Sequence, residues 1–352
     1  MKTNRLLLAL ALCAALYSCD NPSKDDVTPI SSGTYILNNG NWGSNDSNIG
    51  IYNPSDKTFA SDAFKTVNGQ NLGDLGQDIT SLGDEVYIAV NGSQTIFVTD
   101  TDLKIRQQIN ADKDGTRLSP KYLATYGNKV YVTYYEGYLG EISSDSSVRL
   151  CPVGPNPEGV AVAGGNLYVA NSGGMAYPAY NNTVSVVSAS SFAETATIEV
   201  SVNPVKVEAS SDGAYVFVSS FGNYADVPAK LQVISVADGT VADLEYTSVS
   251  AIAKGPGDIL YILCGGYDEN WNPLPGTVYK HDMKANRPLG AFVTDGTVLP
   301  DAYSISATSD GFVYVGCSDY KNTGDAYVFT PEGKLHDKFD VQGLNPLKAY
   351  RY

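Results

Sequence analysis

Seven short β-branched runs, each centred on an aromatic and each followed by a second strand and a polar turn, predict an all-β fold. The aromatics are Tyr35, Tyr87, Tyr131, Tyr168, Phe217, Tyr261 and Tyr314, with steps of 52, 44, 37, 49, 44 and 53 residues. Such a period is that of a four-stranded blade, so the fold class is a seven-bladed β-propeller with antiparallel blades. A third observation concerns the two ends. Asn345-Pro346-Leu347-Lys348-Ala349-Tyr350 opens like an inner strand but nothing follows it, while the run at Tyr35 has no inner strand before it. The C-terminal strand is therefore expected to complete the N-terminal blade, which closes the ring and hides both sheet edges.

The elements follow in order. The aromatic runs are the second (B) strands: Thr34-Tyr35-Ile36, Val86-Tyr87-Ile88, Val130-Tyr131-Val132, Leu167-Tyr168-Val169, Val216-Phe217-Val218, Leu260-Tyr261-Ile262 and Val313-Tyr314-Val315. Their third-strand (C) partners are read at 48–53, 95–100, 138–143, 183–188, 230–235, 277–282 and 325–330. Asn156-Pro157 and Asn203-Pro204 introduce two clear first (A) strands. Turns such as Asn53-Pro54-Ser55-Asp56, Ala237-Asp238-Gly239 and Pro331-Glu332-Gly333 lead into short outer (D) strands. Repeat aromatics placed this way are packing residues between blades. A propeller needs no single large core, because each blade buries its faces against two neighbours.

Before the repeats lies a leader. Lys2 and Arg5 precede the apolar run Leu6–Leu16, and Leu16-Tyr17-Ser18-Cys19 has a small residue before a cysteine. Residues 1–18 read as a lipoprotein signal peptide, with cleavage before Cys19 and lipidation of its thiol. Residues 19–32, beginning Cys19-Asp20-Asn21-Pro22-Ser23-Lys24-Asp25-Asp26, read as a flexible tether, and 33–352 as the propeller.

With 23 Lys+Arg against 38 Asp+Glu the chain carries a formal charge of −15. Nucleic acids and anionic membrane surfaces want a basic stripe, so the balance argues against both as partners. The five cysteines, Cys13, Cys19, Cys151, Cys264 and Cys317, show no metal-ligand spacing. The last three read as buried and inert.

Catalytic signals are weak. His281 falls in a C strand and His336 in a D strand or its turn, with no GxSxG or HExxH pattern. Asp74 and Asp78 supply the two carboxylates that glycoside chemistry needs, although turn capping explains them too. The segment Asn110-Ala111-Asp112-Lys113-Asp114-Gly115 mimics a calcium loop, but Lys121 occupies the position of the bidentate glutamate. The reading is that the chain is not an enzyme and needs no cofactor.

The loops between B and C strands are more informative. They are short at 91–94 and 134–137 and long at 38–47, 171–182, 219–229, 264–276 and 316–324. The long ones hold both tryptophans, Trp42 and Trp271, with Tyr177, Tyr180, Phe221, Tyr224, Tyr267 and Tyr320. Aromatics among Asn, Gly and Asp are the composition of a recognition surface. The candidate ligand-binding set is those residues together with Asn45, Asp78, Tyr135 and Asn171.

Val169-Ala170-Asn171-Ser172-Gly173-Gly174, the Tyr177-Pro178 and Tyr180 that follow, and Asn182-Thr183-Val184-Ser185-Val186 resemble the YncE-like propeller lipoproteins of gut commensals, and among them the cobalamin-binding BtuG family. Supporting stretches are Leu37–Asn45, Leu72–Ile79 and Val218–Tyr224. The acidic residues behind Cys19 resemble surface-export signals of such lipoproteins. The resemblance implies cobalamin or a related corrinoid as transported ligand rather than cofactor. It also implies delivery to an outer-membrane TonB-dependent transporter and a lipid-anchored, surface-exposed location in the outer membrane. A protein- or glycan-binding surface propeller without corrinoid affinity is the alternative.

Overall fold

The computed structural model describes residues 33–352 except 268–272. Seven four-stranded antiparallel sheets form a ring. The innermost A strands, which surround the axis, are Pro346–Tyr350, Gly76–Leu82, Pro120–Tyr126, Pro157–Ala163, Pro204–Ala209, Val249–Gly255 and Ala302–Ala307, for blades 1 to 7 in turn. Each pairs with its B strand, from Thr34–Asn38 in blade 1 to Val313–Cys317 in blade 7. The C-terminal strand does complete blade 1, in the register Tyr35↔Tyr350, Ile36↔Ala349 and Leu37↔Lys348.

Burial follows position in the blade. B strands are buried on both sides, as in Glu85–Val90 and Asn166–Asn171, which is why they read as continuous apolar runs. The outer D strand Ala193–Glu199 is almost wholly exposed and correspondingly polar. All seven repeat aromatics are 6% exposed or less, so they pack between blades as expected. Tyr131 sits with Leu139, Val160 and Leu167 across the blade 3–4 seam, and Tyr168 with Val184, Val207 and Val216 across the next.

One sequence reading changes. Residues 264–276 are not a plain loop: the B and C strands run on as Ile259–Tyr267 and Pro273–Asp282, pairing Gly266 with Leu274 beyond a bulge. Gly265 and Gly266 permit this, since Gly266 takes a φ of +104° that a side chain would resist. The calcium-like segment is a tight hairpin, Asp112–Lys113 against Thr116–Arg117, turning on Asp114-Gly115 at positive φ. Its carboxylates are engaged by cations, Asp112 by Arg117 at 3.3 Å and Asp114 by Lys113 at 2.9 Å.

The three described cysteines and both histidines are structural. Cys151, Cys264 and Cys317 are free and buried, with burial pushing Cys264 up to about 11 and Cys317 to about 12. His281 lies between the Tyr246 hydroxyl (3.1 Å) and Asn286 (3.0 Å), and burial holds its pKa below the usual value. His336 contacts the Pro54 carbonyl at 2.8 Å.

Candidate functional site

A repeated hydrogen bond builds the loop face. The residue before each A strand (Asn345, Leu75, Ser119, Asn156, Asn203, Ser248 and Asp301) offers its carbonyl to the B–C connection of its own blade. The donors are the N–H groups of Asn39, Asn91, Tyr135, Ser172, Phe221, Gly265 and Ser318, at 2.8–3.2 Å. All of these acceptors except Ser119 have positive φ, between 46° and 61°. The stitch binds D–A and B–C segments together, so both sets lie on one face of the ring. Directly after it the A–B pairing slips register in every blade. A bulge there re-aims the strand so that consecutive residues reach the axis, such as Gln77 and Asp78, or Lys121 and Tyr122.

Over blades 4 to 7 this face carries aromatics in contact. Tyr177 and Tyr180 meet edge-to-face at 6.0 Å, and Tyr180 meets Tyr224 in the same way at 6.0 Å. Tyr303 and Tyr320 pair at 5.5 Å and 84°. Phe221, Tyr224, Leu274, Tyr303 and Tyr320 line a cavity of about 670 Å³. A second cavity of about 480 Å³ shares Phe221, Ser250 and Tyr303 with it and continues along the axis. The arrangement is an aromatic bowl opening into a polar channel.

Local chemistry fixes the bowl. In the 221–229 loop the Asn223 carboxamide accepts the Ala225 and Val227 N–H groups at 3.0 and 2.9 Å and donates to Asp226 at 2.8 Å. Gly222, at φ +69°, lies where a Cβ would stand 2.0 Å from the Val227 carbonyl, so only glycine lets the loop close. Tyr135 reaches over from blade 3. Its ring lies 4.7 Å from the Lys121 ammonium, and burial together with Glu158, Tyr180 and Tyr224 pushes its hydroxyl up to about 12. Its oxygen fills the space a side chain on Gly174 would take.

The other candidates are placed as follows. Trp42 stands 77% exposed on the blade 1 loop, which Asp46 and Asp74 brace through the Asn41 and Gly43 N–H groups at 2.8 and 3.0 Å. Asn45 is on the same loop and exposed; neither residue lines the bowl. Asn171 is fully buried beneath its loop, donating to Thr183 and Ser185 at 3.1 and 2.9 Å, and offers a ligand no surface. Asp78 is 2% exposed in the channel wall, where it takes the Lys348 ammonium and the Leu123 N–H at 2.8 Å. It is an inter-blade clasp, and Asp74, its proposed acid/base partner, is a loop brace. Trp271 lies outside the described residues, as does Cys19; Tyr267 is described only as the end of its strand.

Sequence reading missed Tyr303, Lys121, Glu158, Lys206 and Glu208. A usable signal exists: Gln77, Lys121, Glu158, Val205, Ser250, Tyr303 and Leu347 all sit two residues after the carbonyl that makes the stitch.

No protein-family model matches the chain, and no curated protein matches it in sequence. Among solved structures it is similar to a putative 6-phosphogluconolactonase from Bacteroides fragilis NCTC 9343. The identity is 14%, with 92% of this chain and 99% of that one covered and a TM-score of 0.60. It is also similar to hydrazine synthase from Kuenenia stuttgartiensis, at 18% identity over 73% of this chain and 77% of that one, TM-score 0.59. Both are described as enzymes, but likeness at such identity carries no chemistry across. What the comparisons establish is the architecture: this chain is a seven-bladed β-propeller.

Proposed function

We propose that this protein is a surface lipoprotein that captures cobalamin or a related corrinoid on its loop face, without catalysis. It then passes the ligand to an outer-membrane TonB-dependent transporter. The observation that carries the reading is the run of tyrosines in mutual contact beside a cavity of about 670 Å³. A corrinoid is a broad, partly apolar disc rimmed with amides. Tyrosine faces match the disc, and the hydroxyls lining the bowl, those of Tyr224, Ser248 and Tyr320 among them, match the amides. The cavity falls within the roughly 300–1,000 Å³ usual for ligand sites, which suits a large ligand seated on the bowl rather than swallowed by it. Both histidines are engaged in structural contacts, which agrees with capture rather than turnover. Lipid anchoring at Cys19 would hold the propeller at the membrane while the ligand is exchanged.

Calorimetric titration of the purified protein with cyanocobalamin tests the reading. We expect saturable heat at micromolar or lower concentration, and about thirtyfold weaker binding in the Tyr180→Ala/Tyr224→Ala variant, the loss of a hot-spot pair. No heat from the wild type at micromolar concentrations would remove the proposal.

A further inference from the structure

The channel below the bowl carries its own unmatched chemistry. Four of its wall residues are lysines, Lys121, Lys206, Lys254 and Lys348, against the carboxylates Asp78, Glu158 and Glu208. Asp258 adds a fourth carboxylate through its pair with Lys254, so what the pairings leave unmatched is one ammonium and one carboxylate. Three of the lysines are accounted for. Lys121 pairs with Glu158 at 3.2 Å, Lys348 with Asp78, and Lys254 with the Ala209 carbonyl at 2.7 Å and Asp258 at 3.3 Å.

Lys206 is different. Its contact is the face of Tyr122, with the ammonium 4.5 Å from the ring centroid, and among the described residues no carboxylate lies within ion-pair distance. Three N–H donors face a quadrupole that can accept only weakly. Burial lowers the Lys206 pKa and raises that of Glu208.

Glu208 lies two residues along the same strand and therefore on the same wall. It feels Lys206, Lys348 and Lys254 electrostatically but makes no hydrogen bond or ion pair with any of them. A gap thus separates an unpaired ammonium from an unpaired carboxylate, in a cavity of about 410 Å³ whose wall includes Lys206, Glu208, Lys254 and Lys348. A bare cation in this gap would satisfy Glu208 but leave the Lys206 ammonium without an acceptor. An oxyanion bearing a hydroxyl satisfies both unpaired groups, giving its charge to Lys206 and its proton to Glu208.

We infer that this stretch of the channel binds a small oxyanion, a carboxylate or phosphate group, held by Lys206 with Lys254 and Lys348 behind it and Glu208 accepting a hydroxyl of the same ligand. The site is independent of the corrinoid reading, because it requires nothing in the bowl above.

The test is phosphorus NMR of inorganic phosphate titrated with the full protein at constant ionic strength set by chloride. It uses the wild type, Lys206→Met, Glu208→Gln and the surface control Lys230→Gln. Expected are saturable line broadening at millimolar phosphate, unchanged by Lys230→Gln, roughly tenfold or more weaker binding in Lys206→Met, and weaker binding in Glu208→Gln, which loses the charge-assisted bond from the ligand hydroxyl. A merely structural role would not make the Glu208→Gln loss larger for phosphate, which carries a hydroxyl, than for sulfate, which carries none. Absence of saturable broadening in the wild type overturns the inference, as does unaltered binding in a folded Lys206→Met. Should that variant not fold, Glu208→Gln decides alone, and unchanged or tighter phosphate binding there refutes the site.

Discussion

Replacing Asp78 with alanine removes a carboxylate that joins three blades through one side chain. Asp78 belongs to the A strand of blade 2, takes the Lys348 ammonium from the closing strand of blade 1, and accepts the Leu123 N–H of blade 3 at 2.8 Å. Losing a charge-assisted hydrogen bond costs about 1.5–3 kcal/mol, and the stranded Leu123 N–H adds about 1–3 kcal/mol. Lys348 keeps some access to channel water, its side chain being 26% exposed, so the lower part of that range applies. The expected destabilisation is about 3–4 kcal/mol. Lys348→Met should cost a similar amount, because it leaves a buried carboxylate with a single N–H donor. The two changes remove the same pair, so the double variant should fall short of their sum by about 2 kcal/mol. Urea unfolding followed by far-UV circular dichroism reads all three. An Asp78→Ala cost under about 1 kcal/mol, or additivity within about 0.5 kcal/mol, would refute the view that this clasp secures the ring.

Two further outcomes follow from the site and the scaffold. Gly222→Ala should weaken cyanocobalamin binding by at least about tenfold while costing the fold only about 1–2 kcal/mol, since the clash with the Val227 carbonyl is confined to the 221–229 loop; titration and unfolding of one preparation separate the two. Asp258 is buried, which alone would raise its pKa, but the Ser211 hydroxyl and N–H, both at 2.6 Å, with Lys284 and Lys254, hold it well below the usual carboxylate range. A depressed folded-state value means its contribution is present above the unfolded value of 3.8 and is lost as the pH falls toward the folded one. Wild type should therefore exceed Asp258→Asn by roughly 2–3 kcal/mol at neutral pH, with the gap closing below about pH 4; a gap independent of pH would contradict the assignment.

The ring was legible in the sequence because its determinants are local and repeated. A B strand buried on both faces has to be a β-branched run, and Tyr87 or Tyr168 marks each one regardless of what the loops do. Closure was readable from Asn345-Pro346 standing without a successor. The loop face was legible as composition only, for Tyr180 and Tyr224 are aromatics in turn sequences, where aromatics need a reason. Depth was not legible. Asn171 belongs to the same loop motif as Tyr180 yet is wholly buried, because it terminates its B strand and supports the loop from below. Nor was the channel, whose lining comes from seven A strands far apart in sequence. Residues from separate strands, Lys121, Lys206 and Lys348 among them, become a cluster only when the ring closes. Gly265 and Gly266 looked like loop glycines, whereas the bulge there lets the hairpin continue.

The most direct measurement is an anomalous difference map from a crystal of the protein with cyanocobalamin, collected at the cobalt absorption edge. A single strong peak above Tyr180, Tyr224 and Tyr320, on the face where the B–C connections meet the D–A segments, is the expected result. A peak among the turns of the opposite face, such as that following Asn53, or no peak from a crystal grown with saturating ligand, would contradict the account.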